Sequence, residues 1–327
     1  MNNDHPKGVI KTESPANLDE IPFPARHLAD WRYYVKKRGF WTNAVMATRG
    51  CPFNCIFCSI PAISRKYRTR SPKLVVKEME EAYNINNVKA FVFIDDIFTL
   101  QRDYVIGLCK AIEDSRVRFK WEAQTRVNLV DDELIKVMKR AGCSKLIFGI
   151  ESGNERIRNE IIKKMITDKE IQMANELCWR NGIEPDWYLM LGFPNETKRE
   201  LYDTVNFPLK IKPNPNIIGV HIATPLPGAR FFDLAKEQGL LPLNVIDEFI
   251  SGKLGEGYKD IWPYYVPKGL TLEELKAART QAYKQFYLRP SYILKRLSRD
   301  FKSLTNLKKD LRQCSALLKY GRSAEDK

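Results

Sequence analysis

Six short apolar runs recur along the chain: NAVMAT (43–48), AFVFID (90–95), RFKWEAQ (118–124), KLIFGIE (145–151), PDWYLML (185–191) and IIGVHIA (217–223). Between them lie amphipathic stretches with helix punctuation. SPKLVVKEMEEAYN opens with Ser71 as N-cap and Pro72 at the first helical position, DDELIKVMKRAG begins with acids and ends at Gly142, and DKEIQMANELCWRNG runs from Asp168 as cap to Gly182. Short strands alternating with helices of this length predict an α/β protein of repeated βα units around a parallel sheet. An open six-strand sheet and a partial (β/α)6 TIM-like barrel both satisfy the pattern. Either places chemistry at the carboxyl ends of the strands. Residues with chemical potential follow the strands: three cysteines after the first, Asp95 and Asp96 after the second, Gln124 and Arg126 after the third. Glu151 and Ser152 follow the fourth, GFPNET the fifth and TPLPGAR the sixth.

Past residue 240 this rhythm stops. FISGKLGEGYKDIWPYYVPKG is rich in Gly and aromatics, and helical pattern resumes at TLEELKAARTQAYKQFY, with Thr271 as cap. After Pro290, Ile293, Leu297, Phe301, Leu304, Leu307, Leu311, Cys314 and Leu318 recur at the helical period. The pattern divides the chain into a lead-in (1–36), a core barrel (37–240) and a C-terminal covering segment with basic amphipathic helices (241–327).

Composition changes this picture in two places. The net charge is +14, and residues 289–327 carry eleven Lys/Arg against four Asp/Glu, half of the excess. A cationic amphipathic tail fits either a helix resting on an anionic membrane surface or a surface helix packed on the barrel. No RNA-binding module accompanies the charge, so a nucleic-acid partner is not expected. The chain shows neither a signal-peptide pattern nor a long apolar span, which points to the cytoplasm, with peripheral membrane contact through the tail as the one qualification. Seven cysteines in that compartment read as free thiols or metal ligands.

Three of the seven sit in RGCPFNCIFCSIP (49–61), as CxxxCxxC: Cys51, Cys55 and Cys58. A structural zinc site wants four ligands, commonly two CxxC pairs, and would need a fourth from elsewhere. Three thiolates on a short loop suit a [4Fe–4S] cluster with one iron left open. Cys109, Cys143, Cys178 and Cys314 stand alone, in positions that read as core.

CxxxCxxC at the end of a first barrel strand, with an aromatic (Phe57) before the last cysteine, resembles the radical S-adenosylmethionine (radical SAM) enzymes. That resemblance implies a [4Fe–4S] cluster whose open iron chelates S-adenosylmethionine and, once reduced, cleaves it to methionine and a 5′-deoxyadenosyl radical. It also implies roles for the loops. FIDDIFT stands where the family has a GGE-like turn, so Asp95 and Asp96 are expected at the cofactor's amino group, and the sequence does not decide which faces inward. FGIESGNERI resembles the fourth-strand motif, with Glu151 for ribose or amino group and Ser152 for the carboxylate. Gln124 and Arg126 are expected at the barrel mouth, Arg126 against a carboxylate. LMLGFPNET resembles a GxPxET motif in which Gly192 and Pro194 let backbone approach adenine, while Glu196 and Thr197 begin the next helix. His221, a lone histidine in an apolar strand, ranks low.

LDEIPFPARHLAD, FIDDIFT, QTRVNLVDDELIKVMKRAGCSKLIFGIESGN and AYKQFYLRPSYILKRL further resemble the cobalamin-binding radical SAM subgroup, over about residues 18–297. About twenty residues precede the PFPA lead-in here, which leaves three alternatives open: the cobalamin domain is a separate domain or chain, through which alone cobalamin would enter, or the protein works without it, or the sequence is a truncated remnant. The resemblance implies methylation, cyclisation or rearrangement of a small-molecule or lipid-like substrate, and an electron donor such as ferredoxin or flavodoxin. The alternative from another class is a non-catalytic iron–sulfur module for electron transfer or assembly.

Overall fold

The computed structural model describes residues 15–31, 33–34, 42–241 and 265–300. Six parallel strands form one sheet in strictly sequential order: β1 (Asn43–Val45), β2 (Ala90–Phe93), β3 (Lys120–Thr125), β4 (Cys143–Glu151), β5 (Glu184–Leu191) and β6 (Ile217–Ile222). A doubly wound sheet would place non-consecutive strands side by side. The observed order is singly wound, as in a partial barrel, and it gathers every βα loop at one end.

β1 is shorter than the sequence suggests because the chain leaves the sheet at Ala47 and Thr48. There it starts a two-stranded ribbon, Thr48–Arg49 against Arg68–Thr69, that brackets the cysteine loop. Helices α1 (Pro72–Asn86), α2 (Arg102–Glu113), α3 (Asp132–Arg140), α4 (Asp168–Arg180), α5 (Lys198–Lys210) and α6 (Arg230–Glu237) follow the strands. The cap of α4 is Thr167 rather than Asp168. Its hydroxyl accepts from the Glu170 amide while the Glu170 side chain returns to the Thr167 amide, leaving Asp168 in the first turn to pair with Arg158. Thr197 and Thr271 close the same box on α5 and on α7 (Leu272–Tyr287).

Phe91, Phe93, Trp121, Ala123, Leu146, Phe148, Trp187, Leu189, Ile218 and Val220 turn toward the helices, where they meet Met79, Leu108, Met138 and Ile171 in the main core. The isolated cysteines 109, 143 and 178 belong to that core, and burial pushes the Cys109 thiol up to about 12. The opposite face of the sheet is open: Ile94 is 46% and Tyr188 39% exposed, and Gln124 and His221 are exposed with them. At the strand N-termini this face is closed by Lys145, 3.3 Å from both Glu122 and Asp186.

Among the described residues the last strand has no seventh partner. Two tyrosines of α7, one turn apart, take its place. Tyr287 Oη accepts from Ile218 N–H at 3.0 Å and donates to Ile218 C=O at 2.7 Å. Tyr283 Oη does the same for Val220, at 2.9 and 3.1 Å. Hydroxyls, being both donor and acceptor, satisfy the edge as a neighbouring strand would.

The lead-in is anchored to the barrel. Glu78 of α1 accepts from Arg26 at 2.7 Å and from Arg70 at 2.5 Å, all three buried. Asp19 accepts from the Ser71 amide at 2.7 Å. The final helix, α8 (Pro290–Asp300), is described to residue 300, and the rest of the basic amphipathic stretch lies outside the described residues. No helix among the described residues is long and apolar enough to cross a membrane.

Candidate functional site

The cysteine loop is held by backbone on three sides. Cys51 N–H donates to Ser64 C=O at 3.2 Å, Ile56 N–H to Ile162 C=O at 3.1 Å, and Phe231 N–H to Ile56 C=O at 2.7 Å. Gly50, at φ +95°, permits the entry, since a Cβ there would overlap the Lys66 carbonyl. Beneath the loop a second apolar cluster gathers Cys55, Ile56, Ile157, Ile162, Phe193 and Phe231, with Phe53, Phe57 and Cys58 on its flank. The Phe57 ring lies 6.0 Å from that of Phe193. The thiols therefore face a medium of low polarity. Burial pushes Cys51 and Cys58 up, and the charges of Cys55 and Asp96 push the same way.

The paired acids have different fates. Asp95 is 3% exposed and accepts from the Ala47 amide at 3.3 Å and from the Thr48 amide. It fastens the end of β2 to the exit of β1, and burial pushes its carboxyl up to about 7 against the pull of those amides. Asp96, exposed, accepts from Gly50 N–H at 2.8 Å and is the acid that the thiols feel.

On β4, Glu151 adopts φ +66° beside a register shift, and its carboxylate pairs with Lys164 at 2.8 Å, both buried. Gly149 leaves room for the pair, because a Cβ would overlap Glu151 Oε1 and approach Lys164 Nζ to 2.9 Å. Lys164 was not foreseen. Its inward aim depends on left-handed Lys163 (φ +63°) and Met165 (φ +54°), which no sequence motif marks. Ser152 turns away from the strand ends: its hydroxyl lies 2.9 Å from that of Thr204 and accepts from the Asn154 amide at 3.1 Å. Arg158, fully buried and also unforeseen, braces the same loop through the carbonyls of Ser152 and Ile166.

Gln124 is exposed on the open face. Arg126 is buried beside Cys55, its guanidinium over the ring of Phe53. After β5, Gly192 at φ +91° begins a turn that Glu196 closes rather than leaving it for the helix. One Glu196 oxygen accepts from Gly192 N–H at 2.5 Å and Phe193 N–H at 3.0 Å, and the other is buried without a partner. Burial pushes this carboxyl up to about 7. The turn amides are thus engaged, and what Gly192 and Pro194 offer a ligand is the shape of the turn. On the open face the rings of Tyr188 and His221 meet edge-on at 5.7 Å, and Gly219 makes the space, since a Cβ would lie 2.7 Å from the Tyr188 ring.

Among the described residues no group of three or more His, Cys, Asp or Glu is gathered tightly enough to hold a metal ion. A zinc site needs four donors converging on one point. The three thiols are electrostatic neighbours on one loop, which by itself supplies three donors and not four. Three sulfur donors spread along one loop, over an apolar floor, fit a multi-iron cluster that takes each thiolate on a separate iron.

Comparison with known proteins agrees with this geometry. The radical SAM superfamily model matches residues 45–207. An uncharacterised methyltransferase of Pyrococcus horikoshii is 33% identical over 294 residues, covering 88% of this chain and 61% of that protein. An anaerobic magnesium-protoporphyrin IX monomethyl ester cyclase of Cereibacter sphaeroides is 28% identical over 288 residues, covering 86% of this chain and 45% of that protein. The radical SAM methyltransferase TsrM of Kitasatospora setae, solved with cobalamin and a [4Fe–4S] cluster, aligns with a TM-score of 0.55 at 19% identity, over 60% of this chain and 37% of that one. That likeness shows the fold. The chain spans about half the length of these curated relatives, 61% of one and 45% of the other.

Proposed function

This chain belongs to the radical SAM superfamily through residues 45–207, and from that premise we propose that it reductively cleaves S-adenosylmethionine to start radical chemistry on a small molecule. The observation that carries the reading is the cysteine loop itself: three thiols after the carboxyl end of β1, held by backbone bonds to Ile162 in the connection after β4 and to Phe231 in the first turn of α6. Cys51, Cys55 and Cys58 would hold a [4Fe–4S] cluster, which when bound supplies the electron for C–S cleavage.

The chain's own residues account for binding and exclusion of water. Asp96 offers a carboxylate beside the thiols for an ammonium group, and the Glu151–Lys164 pair offers both signs of charge for the cofactor's polar end. Phe57, Phe193 and Phe231 exclude water from below. The open sheet face, with Ile94, Gln124, Tyr188 and His221, is the surface left for the substrate. Its exposed apolar and aromatic groups favour a substrate with a flat or greasy face, and the relatives named as methyltransferases and as a cyclase support methyl transfer or ring closure.

The test is anaerobic reconstitution with iron and sulfide, followed by dithionite and S-adenosylmethionine. Release of 5′-deoxyadenosine, lost in Cys51→Ala, Cys55→Ala and Cys58→Ala, is the expected result. A loaded cluster that never yields 5′-deoxyadenosine would reject the reading in favour of an electron-transfer module.

A further inference from the structure

Arg126 lies just past β3 and is 5% exposed. Its Nη2 donates to the Lys164 carbonyl, Nε donates to Asn128 Oδ1 at 3.3 Å, and the guanidinium sits 3.9 Å above the Phe53 ring. Nη1 is 3.8 Å from Cys55 Sγ. None of the ion pairs among the described residues joins this arginine to a carboxylate. A buried guanidinium without an anion is costly, and such charges are retained where a counter-charge arrives. Among the described residues the sulfur it contacts, that of Cys55 at 3.8 Å, can supply one as thiolate.

We propose that Arg126 is a positioning residue for the cluster ligand Cys55, and that its charge and N–H stabilise the reduced, more negative cluster. The inference rests on the [4Fe–4S] reading above. Reduction adds one electron from an external one-electron donor and so adds one negative charge to the thiolate-bound group. A fixed cation donating to one of its sulfurs favours that state, because hydrogen bonds to cluster sulfurs and local charge set reduction potentials. Phe53 and Asn128 keep the guanidinium from swinging out to water. The acid-facing role expected of Arg126 at a cofactor carboxylate is thereby replaced by a sulfur-facing one.

The test reads the cluster rather than turnover. Wild type, Arg126→Gln, Arg126→Lys and, as an exposed control away from the cysteine loop, Arg116→Gln are reconstituted anaerobically. Iron per chain is measured, and the cluster is titrated potentiometrically by electron paramagnetic resonance without S-adenosylmethionine. Arg126→Gln is expected to load iron as wild type does and to be at least tenfold harder to reduce, which is a fall of about 59 mV for a one-electron couple. Arg126→Lys should lie between, and Arg116→Gln at the wild-type value. A loaded Arg126→Gln with an unchanged midpoint overturns the proposal and leaves the cluster reading intact. So does failure of Arg126→Gln to load when Arg126→Lys loads at the wild-type midpoint, which would make Arg126 a brace for the loop alone. A wild-type chain that assembles no iron–sulfur cluster overturns both.

Discussion

Lys164 is buried by two backbone turns and neutralised by one carboxylate, so its energetics are those of a pair. Removing one partner leaves a charge in a poorly solvated site. Lys164→Met should cost about 3–5 kcal/mol, whereas Lys164→Met with Glu151→Leu should recover most of the loss. Urea unfolding of the two variants and of Lys163→Met, whose side chain is exposed, checks this; equal midpoints for Lys163→Met and Lys164→Met would refute the pair. Asp95 and Glu196 give a pH signature. Both have carboxyls raised by burial to about 7 in the folded chain, so the stability they contribute is complete below about pH 4 and is lost as pH rises toward 7. Each group contributes a slope of about 1.4 kcal/mol per pH unit across that window. Asp95→Asn should flatten unfolding free energy against pH between 5 and 7, and a slope identical to the parent would disprove the assignment. These residues also mark what the sequence can say at this scale. The cysteine spacing is local and was legible. Which of two adjacent aspartates turns inward, or whether Lys164 rather than Lys163 is buried, depends on where β2 ends and on left-handed turns that only the folded chain sets.

At the scale of elements, the strands and helices were legible because period-two and period-3.6 patterns are set by local burial. Their ends were less so. β1 stops early because the Ala47 and Thr48 amides go to Asp95, a contact across 47 or 48 positions of sequence. The role of α7 was hidden for the same reason: AYKQFYL reads as an amphipathic helix, and nothing local says that Tyr283 and Tyr287 meet a strand edge. Removing both hydroxyls (Tyr283→Phe with Tyr287→Phe) deletes four hydrogen bonds to β6. At about 1 kcal/mol for each net bond, a loss of roughly 2–4 kcal/mol is expected. The freed N–H and C=O groups of Ile218 and Val220 would also template pairing with another chain, so sedimentation should show concentration-dependent association. A monomeric double variant of parental stability would show that water satisfies this edge as well as the tyrosines do.

For the whole molecule, sequential strand order is what turns six separate loops into one site, and the lead-in is the part whose place that order does not determine. It is fixed instead by charge. Glu78 stands between Arg26 of the lead-in and Arg70 at the end of the cysteine-flanking ribbon, so one carboxylate couples the first described segment to the element that carries the site. With two guanidiniums against one carboxylate in a buried cluster, Glu78→Gln leaves both arginines without a counter-charge at a cost of about 3–5 kcal/mol. Part of that cost is avoidable by releasing the lead-in, because Arg26 regains water when its segment lifts while Arg70 remains tethered. Glu78→Gln should therefore show two effects together: a lowered urea midpoint, and trypsin cleavage after Arg26 much faster than in the parent. Glu81→Gln, on the exposed side of the same helix, should show neither. Loss of stability without faster cleavage at Arg26 would mean that Leu18 and Asp19 hold the lead-in by themselves, and that the buried triad braces only the barrel.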